Sequence, residues 1–224
     1  MISFEGIQHR YGERVVLRGV DLELPERRIG LIGANGSGKS TLARMVNGLV
    51  QPAAGRVVVD GVDVAKDAAA VRRRVGFVFP DPDAQIVMPT VAEDIAFSLR
   101  RRKLPAERVE ELVGQALGRF GLADHADHPA HLLSSGQKQL LAMAAILVTE
   151  PSILVCDEPT TLLDLRHARQ VVRLIEGLPQ QVLLVTHHLE LVADWERVVV
   201  IDEGRVVADG PGRESVARYR ELMC

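Results

Sequence analysis

Stretches in which apolar and polar residues alternate, and stretches that are continuously apolar, divide the chain into three regions. Near the N-terminus, three such stretches separated by turn residues predict strands of an antiparallel β layer: MISFEGI, VVLRGVDLEL and GRVVVDGVDV. From Val91 to about Thr149, apolar residues recur at helical spacing and predict a helical lobe. After it, strand-like apolar runs alternate with one helical pattern: SILVCDEP, LRHARQVVRLIEGL, QVLLVTHH and RVVVID. This alternation is typical of a parallel sheet covered on both faces, so we expect an α/β fold.

The order of these regions predicts one domain over residues 1–224. We expect the sheet core and its β layer to comprise about 1–84 and 150–224. The helical lobe, about 85–149, is inserted between core strands.

Composition and charge narrow the functional classes. The chain has 224 residues, 47% of them hydrophobic, which is enough for a sizeable core. Its formal net charge is -3 and its only basic runs are Arg72–Arg74 and Arg100–Lys103, so we expect no nucleic-acid partner. Neither a signal sequence nor an apolar run of about 18 residues is evident, which predicts a chain that is not exported and does not cross a membrane. The two cysteines suit a reducing cytoplasm, and we expect Cys156 to be a small core residue.

A glycine-rich loop follows the apolar run that ends at Ile32. GANGSGKS, Gly33 to Ser40, fits the pattern G-x-x-x-x-G-K-[ST] and opens a predicted helix ending near Gly48. Glycines let backbone N–H groups surround phosphate oxygens, Lys39 would neutralise the β- and γ-phosphates, and Ser40 would bind Mg²⁺. This predicts the parallel RecA-like sheet of a P-loop NTPase. The predicted ATP-binding residues of this segment are Gly33, Asn35, Gly36, Ser37, Gly38, Lys39, Ser40 and Thr41.

Two carboxylates end the later strand ILVCDE. A Mg²⁺-nucleotide site needs one carboxylate to hold the metal and another to orient or deprotonate the attacking water. We therefore expect Asp157 to bind the metal and Glu158 to be the catalytic base. The next apolar strand, QVLLVT, leads to His187, a third candidate for the catalytic centre beside Lys39 and Glu158.

A second anion-binding helix start lies in LLSSGQKQLLAMAAIL. Ser134 and Gln137 have the spacing of a capping box ahead of an apolar helix. Because the P-loop already supplies a phosphate-binding helix, this second one suggests phosphate contacted from a partner subunit. Here the chain resembles the ATP-binding-cassette (ABC) ATPases, whose LSGGQ signature corresponds to Leu133–Gln137.

The resemblance covers nearly the whole chain and implies roles for further residues. Tyr11 matches the aromatic that stacks on adenine, Asp164 the D-loop aspartate, and His187 the switch histidine that contacts the γ-phosphate. It also implies a head-to-tail dimer that sandwiches two ATP molecules. We expect a homodimer, and the alternative is a pair of two different ATPases. Each ATP would then be contacted in trans by Ser134, Ser135, Gly136, Gln137 and Asp164.

Four positions depart from the family pattern. Ser135, Leu162 and His188 replace a signature glycine, a D-loop glycine and an aspartate, and none of them removes a catalytic group. Pro80 occupies the place of the Q-loop glutamine, whose amide contacts the Mg²⁺ site. Proline has neither an amide side chain nor a backbone N–H, so we expect slower or differently gated hydrolysis. Gln85 is a candidate to supply the missing amide to the metal. The alternative interpretation is that Gln85 is a solvated loop residue.

PDPDAQIVMPTVAEDIAFS, from Pro80 to Ser98, resembles the corresponding segment of energy-coupling-factor importer ATPases. This implies a peripheral subunit on the cytoplasmic face of the membrane. Its partners would be a transmembrane coupling protein and a substrate-binding membrane protein. The short chain resembles the biotin-type subunit, so biotin is the first candidate substrate and cobalt or nickel the alternative.

Two other classes of function stay open. One is an ABC protein of translation or DNA maintenance, though such proteins usually carry two cassettes or long coiled-coil insertions. The other is a non-hydrolysing regulatory cassette, favoured by Pro80 but opposed by the intact catalytic residues. The triplet His125, His128 and His131 contains an intervening proline, and we interpret it as a loop and not as a metal site.

Overall fold

The computed structural model describes residues 1–223, and Cys224, where the predicted domain ends, lies outside the described residues. The strands are β1 (Ile2–Tyr11), β2 (Arg14–Leu24), β3 (Arg28–Ile32), β4 (Ala54–Val59), β5 (Val62–Asp63), β6 (Val75–Val78), β7 (Ile153–Asp157), β8 (Gln181–Val185), β9 (Arg197–Asp202) and β10 (Arg205–Gly210). The α-helices are α1 (Lys39–Met45), α2 (Ala68–Arg72), α3 (Val91–Leu99), α4 (Ala106–Phe120), α5 (Ser135–Leu147), α6 (Leu165–Glu176) and α7 (Gly212–Leu222).

The N-terminal strands form the antiparallel sheet that the sequence predicts, in the order β2-β1-β4-β5. Alternating apolar residues of β1, such as Ile2 and Phe4, are buried. One detail of the prediction is wrong, because GRVVVDGVDV is a hairpin and not a single strand. Asp60 and Gly61 both have positive φ, 47° and 77°, which turns the chain between β4 and β5.

The second sheet has the order β10-β9-β3-β8-β7-β6. Strand β3 pairs in parallel with β8 and β9, and β7 pairs in parallel with β8. Strands β3, β7 and β8 are buried almost throughout, which explains their continuous apolar sequences. Since parallel strands end at the same edge, the segments that begin at Gly33, Glu158 and Thr186 emerge together. The predicted α/β fold is confirmed.

By internal contacts the chain divides into two compact units. The first comprises Met1–Phe77, Ser152–Glu158 and the segment from Leu178 onward, and it contains both sheets except Val78, the last residue of β6. The second comprises Val78–Pro151 and Pro159–Gly177. The domain boundaries drawn from the sequence stay a prediction.

The second unit is helical. Helix α3 packs against α4 and α5, and α5 also contacts α6. Their apolar faces bury residues such as Ile95, Leu117 and Leu141. Within residues 1–223, none of the helices is both long enough and apolar enough to span a bilayer.

Candidate functional site

The loop between β3 and α1 has the backbone shape that surrounds a phosphate group. Gly33 has φ of 146°, and a Cβ at this position would overlap the carbonyl oxygen of Ile201, so only glycine fits. The Oγ of Ser37 is buried and has no hydrogen-bond partner among the described residues. A buried hydroxyl without a partner and a loop without side-chain bulk suit a ligand with phosphate oxygens.

Lys39 begins α1 and is almost fully buried. Its Nζ donates to the carbonyl oxygens of Gly33 and Ala34, each at 2.8 Å. Burial lowers the pKa of Lys39, while the charges of Glu158 and Asp157 oppose this shift. An incoming phosphate would strengthen that opposing effect, because it adds negative charge beside the ammonium group.

Ser40 and Asp157, two of the predicted metal ligands, are in direct contact. Asp157 is fully buried at the end of β7, and its Oδ1 accepts a 2.7 Å hydrogen bond from the Oγ of Ser40. Its Oδ2 lies 3.2 Å from Nη2 of Arg44. A hydroxyl and a carboxylate oxygen are ligands that suit Mg²⁺. Sequence reasoning missed Arg44, although its position four residues after Ser40 places both side chains on one face of α1.

Glu158 and His187 form a second pair. The Oε2 of Glu158 lies 2.8 Å from the Nδ1 of His187, and the Glu158 side chain is only 15% exposed. Glu158 has φ of 51°, a left-handed conformation that is uncommon for a residue with a side chain. Its backbone N–H donates to the carbonyl of Val185, which holds the residue after β7 against the end of β8. Strained backbone fixed in this way is a feature of functional sites.

A cavity of about 330 Å³ in the first unit is lined both by residues of the glycine-rich loop and by residues of β1 and β2. Tyr11 is half exposed and its ring meets that of His9 edge to face, with centroids 4.6 Å apart. Sequence reasoning also missed Arg14, whose Nη2 lies 3.4 Å from the carbonyl oxygen of Gly36. The lining consists of Tyr11, Arg14, Val16, Asn35, Gly36, Gly38, Lys39, Ser40, Thr41 and Glu158.

The predicted signature lies in the second unit. Ser134 caps α5, and the reciprocal hydrogen bonds of the expected capping box join it to Gln137, with N···O distances of 3.3 and 2.9 Å. The Nε2 of Gln137 also lies 3.0 Å from the Nε2 of His125. His125 therefore contacts a predicted ATP-binding residue, which its sequence pattern did not indicate. Ser134 and Ser135 are exposed.

Gly136 and the D-loop aspartate meet at one histidine. A Cβ on Gly136 would overlap the imidazole of His167, so the helices α5 and α6 approach closely at this point. Asp164 caps α6, and its carboxylate accepts from the backbone N–H of His167 at 2.9 Å and contacts the ring Nδ1 at the same distance. The backbone hydrogen bond first, and then the ring, lower the pKa of Asp164.

The structure also locates Pro80 and Gln85. Pro80 follows β6, and the side chain of Gln85 turns back towards it. The Oε1 of Gln85 accepts from the backbone N–H of Phe79 at 3.1 Å, and its Nε2 lies 3.4 Å from the carbonyl oxygen of Ala142. The carboxamide of Gln85 is therefore engaged by the backbone of its own unit.

Comparison with known proteins decides the family. The family described as ABC transporter matches residues 17–161, more than half of the chain. The chain belongs to the ABC transporter family. A protein of Deinococcus radiodurans named as an ABC transporter ATP-binding protein is 53% identical over 223 residues, covering 100% of this chain and 99% of the relative. The biotin transport ATP-binding protein BioM of Rhizobium etli is 48% identical and covers 99% and 98%.

A further relative and two solved structures agree with this family. The energy-coupling factor transporter ATP-binding protein EcfA1 of Symbiobacterium thermophilum is 40% identical, covering 97% of this chain and 81% of the relative. The structure of cbiO1 from Clostridium perfringens, described as part of the ABC transporter complex cbiONQ, has a TM-score of 0.86 at 31% identity and covers 99% and 92%. A dimeric ATP-binding cassette bound to ADP and Pi has a TM-score of 0.84 at 26% identity and covers 95% and 99%. The predicted ABC ATPase of energy-coupling-factor type, with its P-loop NTPase fold, is confirmed.

Proposed function

We propose that this ABC ATPase binds Mg²⁺ and ATP in the cavity of its first unit and hydrolyses the ATP to ADP and phosphate. The observation that carries the proposal is the meeting of two pairs beside one glycine-rich loop: Ser40 with Asp157, and Glu158 with His187. Tyr11 would stack on adenine at the open end of the cavity. Ser40 and Asp157 would hold Mg²⁺, which when bound neutralises charge on the β- and γ-phosphates.

The chain's own residues divide the remaining chemistry. Lys39 exchanges the carbonyls of Gly33 and Ala34 for phosphate oxygens, and so supplies positive charge where negative charge develops. Glu158 accepts a proton as the water oxygen bonds to the γ-phosphorus and the bond from that phosphorus to the β–γ bridging oxygen breaks. His187 holds the carboxylate of Glu158 in orientation and contacts the γ-phosphate through its exposed ring.

A second copy completes the site in this proposal. Ser134, Ser135, Gly136, Gln137 and Asp164 of one subunit contact the nucleotide on the other, so that two ATP molecules lie between the subunits. The exposed N-terminus of α5 supports this role, because its N–H groups and partial positive charge favour an anion. ABC ATPases act as dimers and with membrane components. We propose a homodimer that lies peripherally on the cytoplasmic face of the membrane, with a coupling protein and a substrate-binding protein as its partners.

The proposed transport substrate is biotin. Its support is the 48% identity to a biotin transport ATPase over nearly the whole length of both chains. Nickel or cobalt is the alternative, and 40% identity to a nickel import ATP-binding protein of Rhodobacter capsulatus favours it to a lesser degree.

The membrane complex that assembles around this chain tests both levels of the proposal. The complex is purified intact, its small molecules are identified by mass spectrometry, and its metals are measured. Uptake of labelled biotin and of labelled Ni²⁺ into vesicles that contain ATP is then compared with uptake by the Glu158→Gln complex. We expect retained biotin and ATP-dependent biotin uptake that Glu158→Gln abolishes. A complex that holds Ni²⁺ or Co²⁺ and no vitamin would exclude biotin, and uptake unaffected by Glu158→Gln would exclude the ATPase role.

A further inference from the structure

The loop after β6 is closed by its own hydrogen bonds. Gln85 reaches back six residues to the N–H of Phe79, the last backbone donor before Pro80. Inside this ring, Asp81 accepts from the N–H of Asp83 at 2.9 Å and caps the 3₁₀ turn Pro82–Ala84. Two prolines with fixed φ further restrict the loop. Residues 79–85 therefore form a compact segment with a defined shape.

Two side-chain contacts attach this segment to one face of α5. The Nζ of Lys138 lies 2.7 and 3.1 Å from the two carboxylate oxygens of Asp83. The Nε2 of Gln85 approaches the carbonyl of Ala142, four residues further along the helix. Residues four apart share a face of an α-helix, so both contacts act on the same side of α5. The Lys138 side chain is only 16% exposed and therefore packed in place, whereas the Asp83 side chain is 62% exposed, so the ion pair reaches the surface.

We propose that Asp83, Gln85 and Lys138 form a latch that makes the Pro80 loop and the signature helix α5 one mechanical element. Gln85 is then a positioning residue that closes the loop and ties it to α5. Lys138 directly follows Gln137, so the latch acts next to the signature. A displacement of the loop is transmitted to Ser134 and Gln137 and is not absorbed within the loop.

The latch gives Gln85 a role different from metal binding. Its Oε1 holds the Phe79 N–H and its Nε2 holds a helix carbonyl, so both ends of the carboxamide have a positional task. The latch also bears on Pro80, which occupies the place of the Q-loop glutamine. A loop without the Q-loop glutamine retains a fixed connection to the signature through a different glutamine. The kinetic consequence rests on the proposed ATPase function, whereas the mechanical one does not.

A charge reversal with its rescue tests the ion pair. The full-length variants are Asp83→Lys, Lys138→Asp and the double variant that carries both changes. Hydrogen–deuterium exchange follows the amides of residues 79–86 and of the first two turns of α5. We expect each single variant to exchange about two- to fivefold faster in both segments, and the double variant to regain the parental rate. Arg108→Met, which breaks an exposed pair with Glu111 on α4, is the matched control and leaves both segments unchanged.

Two substitutions separate the contacts of Gln85. Gln85→Ala removes both, and we expect about tenfold faster exchange of the Phe79 amide and faster exchange in α5. Gln85→Glu retains an acceptor for the Phe79 N–H but cannot donate to Ala142, so it should affect α5 more than Phe79. In the assembled complex, the latch variants should lower kcat about two- to tenfold and leave the KM for ATP nearly unchanged.

The outcomes separate the latch from the ATPase proposal. Faster exchange confined to the loop in every variant, or a double reversal that does not restore α5, would overturn the latch. Unchanged kcat in variants whose α5 exchanges faster would also overturn it as a positioning device. The exchange measurements need no ATP hydrolysis, so they stand even when the complex proves not to hydrolyse ATP.

Discussion

The Nδ1 of His187 lies 2.8 Å from the Oε2 of Glu158. Glu158 has a left-handed backbone immediately after β7, and His187 follows β8, so two neighbouring parallel strands deliver the pair. An imidazole whose Nδ1–H donates to a carboxylate orients it and leaves the other ring nitrogen, Nε2, for a second contact, and the His187 side chain is 46% exposed.

Loss of the His187 ring should impair hydrolysis more than nucleotide binding. We expect His187→Ala to lower kcat about 10²-fold, because Glu158 loses its orienting partner and the γ-phosphate loses a contact. The KM for ATP should change little. His188→Ala is the matched control, since that ring lies 4.1 Å from His187 but faces Glu190 instead of Glu158. Steady-state phosphate release by the assembled complex measures both, and equal effects of the two variants would contradict the assigned role.

The lowered pKa of Lys39 predicts how stability depends on pH. Because the pKa is lower in the folded than in the unfolded chain, the unfolded chain binds more protons between the two values. The contribution of Lys39 to the free energy of unfolding therefore rises with pH as the pH approaches 10.5. In urea unfolding without nucleotide, the parent should gain stability relative to Lys39→Met over that range. Lys66→Met, which removes an exposed lysine, should show no such gain, and a parent that instead loses stability relative to Lys39→Met would be evidence against this pKa direction.

The contact between Gly136 and His167 predicts a rescue. Gly136→Ala should lower the free energy of unfolding by about 1–3 kcal/mol, because its Cβ would overlap the His167 ring. Removing that ring in Gly136→Ala/His167→Ala should recover most of the loss. Gly114→Ala on α4 has open space around it and should instead stabilise by about 0.5–1 kcal/mol. Urea unfolding measures all three, and an undiminished stability of Gly136→Ala would mean that the His167 ring moves away from position 136 without cost.

Restoring the glutamine at position 80 should accelerate the enzyme. We expect Pro80→Gln to raise ATP turnover by the assembled complex, because one transition-state hydrogen-bond donor is typically worth about 10²- to 10³-fold in rate. Pro105→Gln, at an exposed proline before α4, controls for the loss of a proline elsewhere. Turnover of Pro80→Gln equal to that of the parent would show that the proline does not limit hydrolysis.

Local patterns in the sequence predicted much of the fold and of the site. The P-loop and the capping box of Ser134 and Gln137 are defined by residues close together in sequence, so spacing alone reveals them. The continuous apolar sequences of β3, β7 and β8 likewise predict that these strands are buried. The turn at Asp60 and Gly61 could also have been predicted, because Asp-Gly between apolar runs is a hairpin signal. We interpreted that stretch as one strand.

Contacts between distant segments could not be read in the same way. His167 lies 31 residues beyond Gly136, and nothing in either pattern indicates that their helices touch. The contact of Gln85 with Ala142 depends on how the loop packs on α5, which spacing does not determine. The roles assigned to the individual site residues stay predictions until the variants are measured.

The most direct test of the account is phosphate release by the assembled complex of the Glu158→Gln variant. Glutamine keeps the size of the side chain but cannot accept the proton of the attacking water. We predict that ATP still binds while phosphate release falls by about 10²- to 10⁴-fold, and that Glu190→Gln, an exposed neighbour of the switch region, releases phosphate at the parental rate. Phosphate release by Glu158→Gln at the parental rate would contradict the assignment of Glu158 as the catalytic base.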